Sequence, residues 1–121
     1  MEDAAEPLKE LRRLVNYKRI FNHMGAGDLA IERGDIETGI REFRAAERMA
    51  SENAELLPSR RAEIAFWYGV VLVKLNRIDT ALPLFQKAFK LQPLWREVTP
   101  HLGKSDLLPD DPELIKRILE Q

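Results

Sequence analysis

The chain has 121 residues, 45% of them hydrophobic and 32% charged, with a net charge of −1 and no cysteine. That length supports one core of ordinary size, and the near-neutral charge supplies no concentrated positive field for nucleic acid or an anionic membrane. Without cysteine there is no disulfide framework, thiolate zinc site or thiol nucleophile, and two histidines, His23 and His101, leave little for a metal, so no metal and no cofactor is expected.

Apolar residues recur at spacings of three and four from end to end, and the alternation of a half-buried strand is missing, so the predicted fold class is all-α. The opening "MEDAAEPLKELRRLV" has no apolar stretch behind a positive start, and no run approaches the ~18 apolar residues of a membrane span. A cytoplasmic setting is the expectation. Leu8, Leu11 and Val15, with Pro7 at a favoured first-turn position, predict an opening helix over residues 6–22 that either runs on through Phe21 or breaks near Asn16.

Two later stretches repeat one another. "GDLAIERGDIETGIREFRAAERMA" from Gly27 to Ala50 and "GVVLVKLNRIDTALPLFQKAFKLQ" from Gly69 to Gln92 agree at Gly27/Gly69, Ile36/Ile78, Thr38/Thr80, Phe43/Phe85 and Ala46/Ala88. Each contains a tight break, "RGD" or "LNRID", where Gly34 or Asn76 suits the left-handed conformation that ends a helix. Each copy therefore reads as a helix–turn–helix unit. Glycine inside a helix costs about 1 kcal/mol relative to alanine, so Gly27, Gly39 and Gly69 need a compensating reason, and close approach of two helix backbones supplies one. Pro83 sits about one turn into the second helix of its copy and predicts a late start or a kink. Beyond it, "PLWREVTPHLG" predicts a short helix limited by Pro100 and closed by Gly103. A last helix from about Asp111 to Leu119 is signalled by Asp110 three residues before Glu113, with Pro112 in the first turn, and is expected to bury Leu114, Ile115, Ile118 and Leu119.

The paired units resemble the tetratricopeptide repeat, a 34-residue helix pair with small, apolar and aromatic residues at fixed places. In the second copy the matching residues are Tyr68, Gly69, Leu72, Ile78, Ala81, Phe85, Ala88 and Pro93; in the first they are Gly27, Ala30, Gly34, Ile36, Gly39, Phe43 and Ala46. The copies lie eight residues further apart than that repeat, and the excess falls in "ASENAELLPSRRAE", which either lengthens the flanking helices or forms a longer loop around Pro58. The resemblance implies a single domain, 1–121, with repeats at 20–50 and 59–93 sealed by a cap helix at 6–22 and further cap helices at 94–121. Over nearly the whole chain, "PLKELRRLV", "GD" at Gly34 and Asp35, "FWYG", "ALPLF" and "PLWREV…LLPDDPELIKRIL" are also similar to the C-terminal extension of an uncharacterised family resembling N-terminal-nucleophile hydrolases. That extension is labelled a peptidoglycan-binding domain, and the resemblance implies either the accessory helical domain alone, the family's catalytic part lying before it, or a free-standing relative.

"GAGDLA" at Gly25–Ala30 fits a loose dinucleotide fingerprint but lacks the preceding strand, and "GKS" at Gly103–Ser105 has Val98 where a phosphate loop needs glycine. Ser51, Ser59, Ser105, His23 and His101 fall in no elbow or paired spacing, so no catalytic residue is assigned. The basic run Arg12, Arg13, Lys18 and Arg19 is offset by Asp3, Glu6 and Glu10 and reads as a solvated helix face.

In tetratricopeptide arrays the first helix of each repeat lines a concave face. Carried over, the resemblance implies a partner-binding surface of Phe21, Met24, Gly25, Asp28, Ile31 and Glu32 from the first copy and Glu63, Phe66, Trp67, Val70, Val73 and Lys74 from the second. The carboxylate clamp of some members, Lys and Asn at the fifth and ninth places, is absent: this chain has Met24, Phe66, Asp28 and Val70 there. An apolar lining with acidic edges suits an apolar peptide or an amphipathic helix. Two other readings stand beside it, in which Phe66, Trp67, Val70 and Val73 are core, or the face is a self-association surface. A protein or peptide partner is thus expected, homo-oligomerisation is an alternative, and nucleic acid and membrane are not expected partners.

Overall fold

The computed structural model describes residues 6–121. Among them are six helices and no strand: α1 Glu6–Glu32, α2 Ile36–Glu52, α3 Pro58–Lys74, α4 Ile78–Leu91, α5 Leu94–Lys104 and α6 Pro112–Leu119. The fold is all-α. The helices fall into two compact units, one ending at Leu57 and holding α1 and α2, the other, Pro58–Gln121, holding α3 to α6.

The first unit is an antiparallel hairpin. The expected cap helix at 6–22 and the first helix of the repeat are one continuous element, α1, of 27 residues. No proline or left-handed residue interrupts the chain between Pro7 and Gly34, so the ladder has no reason to stop near Asn16. It ends where Gly34 takes a φ of 86°. There Asp35 N–H reaches the Ala30 carbonyl at 2.9 Å and Gly34 N–H the Ile31 carbonyl at 3.0 Å, the paired bonds that satisfy the last carbonyls of a helix. Asp35 then opens the next helix, accepting from Thr38 N–H at 3.3 Å. One residue serves both ends.

The second unit repeats the device. Asn76 has a φ of 61°, Asn76 N–H bonds Val73 O at 2.9 Å and Arg77 N–H bonds Leu72 O at 2.8 Å. Arg77 stands where Asp35 does, but makes no side-chain cap.

Small residues are the points of contact. Gly27, Gly39, Gly69, Ala46, Ala81 and Ala88 are all buried. A methyl group on Gly27 would lie 2.6 Å from the Phe43 ring and 3.0 Å from the Gly39 carbonyl oxygen, and one on Gly39 would meet Ile31 and lie 3.0 Å from the Gly27 carbonyl oxygen. The two backbones touch, and the buried Phe43 ring fills the space beside them. In the second unit alanine replaces the second glycine, and a methyl on Gly69 would stand 3.1 Å from Phe85. That contact is tight but nearer to ordinary.

The connection between the repeats is short: α2 ends at Glu52, Asn53 Oδ1 accepts from Glu55 N–H at 3.1 Å, and Leu56 is buried. Pro58 opens α3 and is not part of a loop, because the first turn of a helix needs no N–H from it. Pro83 does not delay α4, which starts at Ile78 and carries the proline inside. Pro83 is exposed, so water can serve the Asp79 carbonyl its missing N–H abandons. Likewise α5 runs through Pro100 to Lys104, and Gly103 does not close it. Gly103 is buried inside the helix; Asp106, with a φ of 64°, takes the left-handed place instead, and Leu107 N–H bonds Leu102 O at 3.1 Å.

Asp111 caps α6, where Asp110 was expected, accepting from Glu113 N–H at 3.1 Å and Leu114 N–H at 3.4 Å. Leu114 and Ile118 are buried, while Ile115 and Leu119 are half-buried.

Alanine at Gly27 should destabilise the first unit by up to about 2 kcal/mol, since overpacking of about 1–3 kcal/mol is set against a helix-propensity gain of about 1 kcal/mol. At Gly69 the two effects should nearly cancel. Urea unfolding of both variants checks this, and an increase in stability for Gly27→Ala would contradict the close approach.

Candidate functional site

The residues carried over from the repeat pattern divide by burial. In the first unit Met24 is 6% exposed, and Ile31 is half-buried against Gly39 of α2. Phe21, Gly25, Asp28 and Glu32 are exposed, with Phe21 edge-on to Tyr17 at 4.6 Å between ring centres. In the second unit Phe66, Val70 and Val73 are buried, Trp67 and Glu63 are half-buried, and Lys74 is exposed.

Much of the apolar lining is therefore spent inside the helix pairs. Phe66 is the hub of an aromatic cluster: Trp95 stacks on it at 4.5 Å, and Phe85 and Trp67 meet it edge-on at 5.5 and 5.4 Å. Phe89 lies 6.5 Å away, and the Arg96 guanidinium sits 4.9 Å over the Phe89 ring. Such edge and offset contacts add about 0.5–1.5 kcal/mol per pair beyond burial. The sequence named Phe66 and Trp67 but not Trp95. Trp95 follows a proline in a short helix far along the chain from Phe66, and helical periodicity relates only neighbours on one helix.

Charged contacts tie the first unit at its ends. Arg12 Nε and Nη2 both donate to the Glu55 carboxylate at 3.1 Å, joining α1 to the turn after α2. The hydrogen bond from Arg12 holds the Glu55 carboxyl below the usual carboxylate range, and the same bond raises the Arg12 guanidinium. Hydrogen bonds from Thr38 likewise hold the Asp35 carboxyl low. His23 Nδ1 lies 2.8 Å from Glu42 Oε2 across the hairpin. In the second unit Arg117 reaches Asp79 at 3.4 Å. Exposed pairs of this kind contribute little each.

A set of large apolar side chains on helices stays exposed. Leu8 is 68% exposed, Leu11 57%, Leu14 64% and Val15 43%, all within two turns of α1. Helix α1 is ~40 Å long and α2 only ~25 Å, so the start of α1 outruns its partner. Periodicity marks Leu8, Leu11 and Val15 as helical but does not show that α2 stops short of them, and it does not single out Leu14. Among the described residues no group of three or more His, Cys, Asp or Glu is placed to hold a metal, and no helix is long and apolar enough to cross a membrane.

No protein-family model, curated protein or solved structure matches this chain.

Because Asp35 and Glu55 both ionise more easily folded than unfolded, their stabilisation is present at neutral pH and is lost as pH falls through and below the ordinary carboxylate range of about 4. Urea midpoints measured between pH 7 and pH 3 should fall, and the fall should be smaller in Glu55→Gln. An equal fall in that variant would contradict the role given to the Arg12–Glu55 contact.

Proposed function

We propose that this chain is a non-enzymatic protein-interaction module of tetratricopeptide-like build that takes an apolar or amphipathic peptide or helix. The observation that carries the reading is the exposure of Leu8, Leu11, Leu14 and Val15 on one stretch of helix. Isolated apolar side chains on a surface are ordinary, but three leucines and a valine in two turns make a patch of the kind that marks interaction surfaces. Phe21 and Leu29 extend exposed apolar surface further along α1. Helix-in-groove and helix-on-helix recognition use apolar anchors at this spacing.

The surface inferred from the repeat pattern contracts to its accessible members. Phe21 and Asp28 on α1, and Trp67, Glu63 and Lys74 on α3, are open or partly open. Met24, Phe66, Val70 and Val73 are buried, so they offer no accessible surface to a partner. Glycan binding has less support, because Phe66, Phe85 and Phe89 are buried and the two tryptophans, Trp67 and Trp95, are half-buried in the same cluster.

Selection of the full chain against a displayed library of short helical and extended peptides tests the reading. Enriched sequences should carry apolar residues at three-and-four spacing, and their binding should drop about ten-fold or more for Leu11→Glu with far-UV circular dichroism unchanged. No enrichment, or undiminished binding by that variant, would contradict it.

A further inference from the structure

We infer that the outward face of α1 pairs with the same face of a second copy of this chain, in antiparallel orientation, centred between Lys18 and Asn22. This rests on the interaction reading above and names the partner helix.

Leu11, Val15, Lys18, Asn22, Gly25 and Leu29 follow one another at alternating spacings of four and three, the repeat of a seam between paired helices. All six are exposed. Ile20 and Gly27, which are buried, project from the opposite side of α1, so α2 covers the other face and leaves the seam bare.

The seam is complementary to itself when reversed. Antiparallel pairing sets Leu11 on Leu29, Val15 on Gly25 and Lys18 on Asn22, and the two-fold axis repeats each layer. Apolar meets apolar at the ends, large meets small inside them, and polar meets polar at the centre. A slide of one heptad destroys the match, setting Leu11 on Asn22 and Val15 on Lys18. The charges agree with the same orientation. Residues 6–19 carry Lys9, Arg12, Arg13, Lys18 and Arg19 against two glutamates, whereas residues 20–32 carry Asp28 and Glu32 and no lysine or arginine. Antiparallel pairing lays the basic half over the acidic half and also opposes the helix dipoles, while parallel pairing stacks like on like.

Gly25 gives an independent reason. A methyl group there would meet nothing within 4 Å, so the glycine forfeits helix propensity without any gain in the single chain. Opposite Val15 of a second copy it is the small half of a packed layer.

The test uses sedimentation equilibrium of the full chain over a wide concentration range, with covalent capture of the register. The natural chain has no cysteine, so introduced thiols are unambiguous. The chain should dimerise, and Leu11→Glu and Leu29→Glu should each weaken the dimer about ten-fold or more, with helicity by circular dichroism unchanged. A short bismaleimide should link two chains of the double variant Val15→Cys/Gly25→Cys into dimers. It should fail to link Val15→Cys alone, which only a parallel pairing would bring together. A monomer at all concentrations that still binds helical peptides would overturn this inference and leave the interaction reading standing; a monomer that binds none would overturn both. A dimer indifferent to Leu11→Glu, or linked through Val15→Cys alone, would overturn the surface or the orientation.

Discussion

The contact between Gly27 and Gly39 sets the geometry of the first unit. Two helix backbones meet where neither has a side chain, each glycine's missing methyl space bordered by the other's carbonyl oxygen at 3.0 Å. That approach brings the Phe43 ring against Gly27 and the Ile31 side chain against Gly39, so two bulky residues lock over two bare ones. It also accounts for the turn. With the axes so close, only a tight reversal fits, and Gly34 in the left-handed region followed by Asp35 as cap makes the reversal in the fewest residues. The second unit keeps the logic with looser spacing, because Ala81 replaces the second glycine and Phe85 stands further from Gly69.

Sequence was informative where the determinants are local. The turns at Gly34 and Asn76 follow from residue type, the buried small residues follow from their otherwise unexplained cost in a helix, and the all-α class follows from periodicity. Prolines and caps were read less well. Pro83 sits within its helix on a face that reaches water, which composition does not reveal, and Pro100 lies within α5 half-buried. Asp110 and Asp111 offer the same chemistry one residue apart, and the backbone selects the second. The long opening helix illustrates a different limit: nothing in residues 6–32 says where α2 will end, yet that endpoint decides whether Leu8 and Leu11 are covered.

The candidate surface was harder still to read. Carrying the repeat pattern over picks positions on the first helix of each pair, but position alone does not separate lining from core. Phe66 shows the difference. It occupies a lining place and is wholly buried, because Trp95, Phe85 and Phe89 arrive from elsewhere in the second unit to enclose it. The apolar surface left bare lies instead on α1, where no neighbour within its unit is long enough to cover it. Helix α1 thus carries apolar residues on two sides, one against α2 and one outward.

A double-mutant cycle on Gly27→Ala and Phe43→Leu tests the central packing claim most directly. The smaller side chain should relieve the added methyl, giving a coupling of about 1 kcal/mol or more in urea unfolding. If the two effects simply add, the helices do not touch at Gly27 and this account of the fold is wrong.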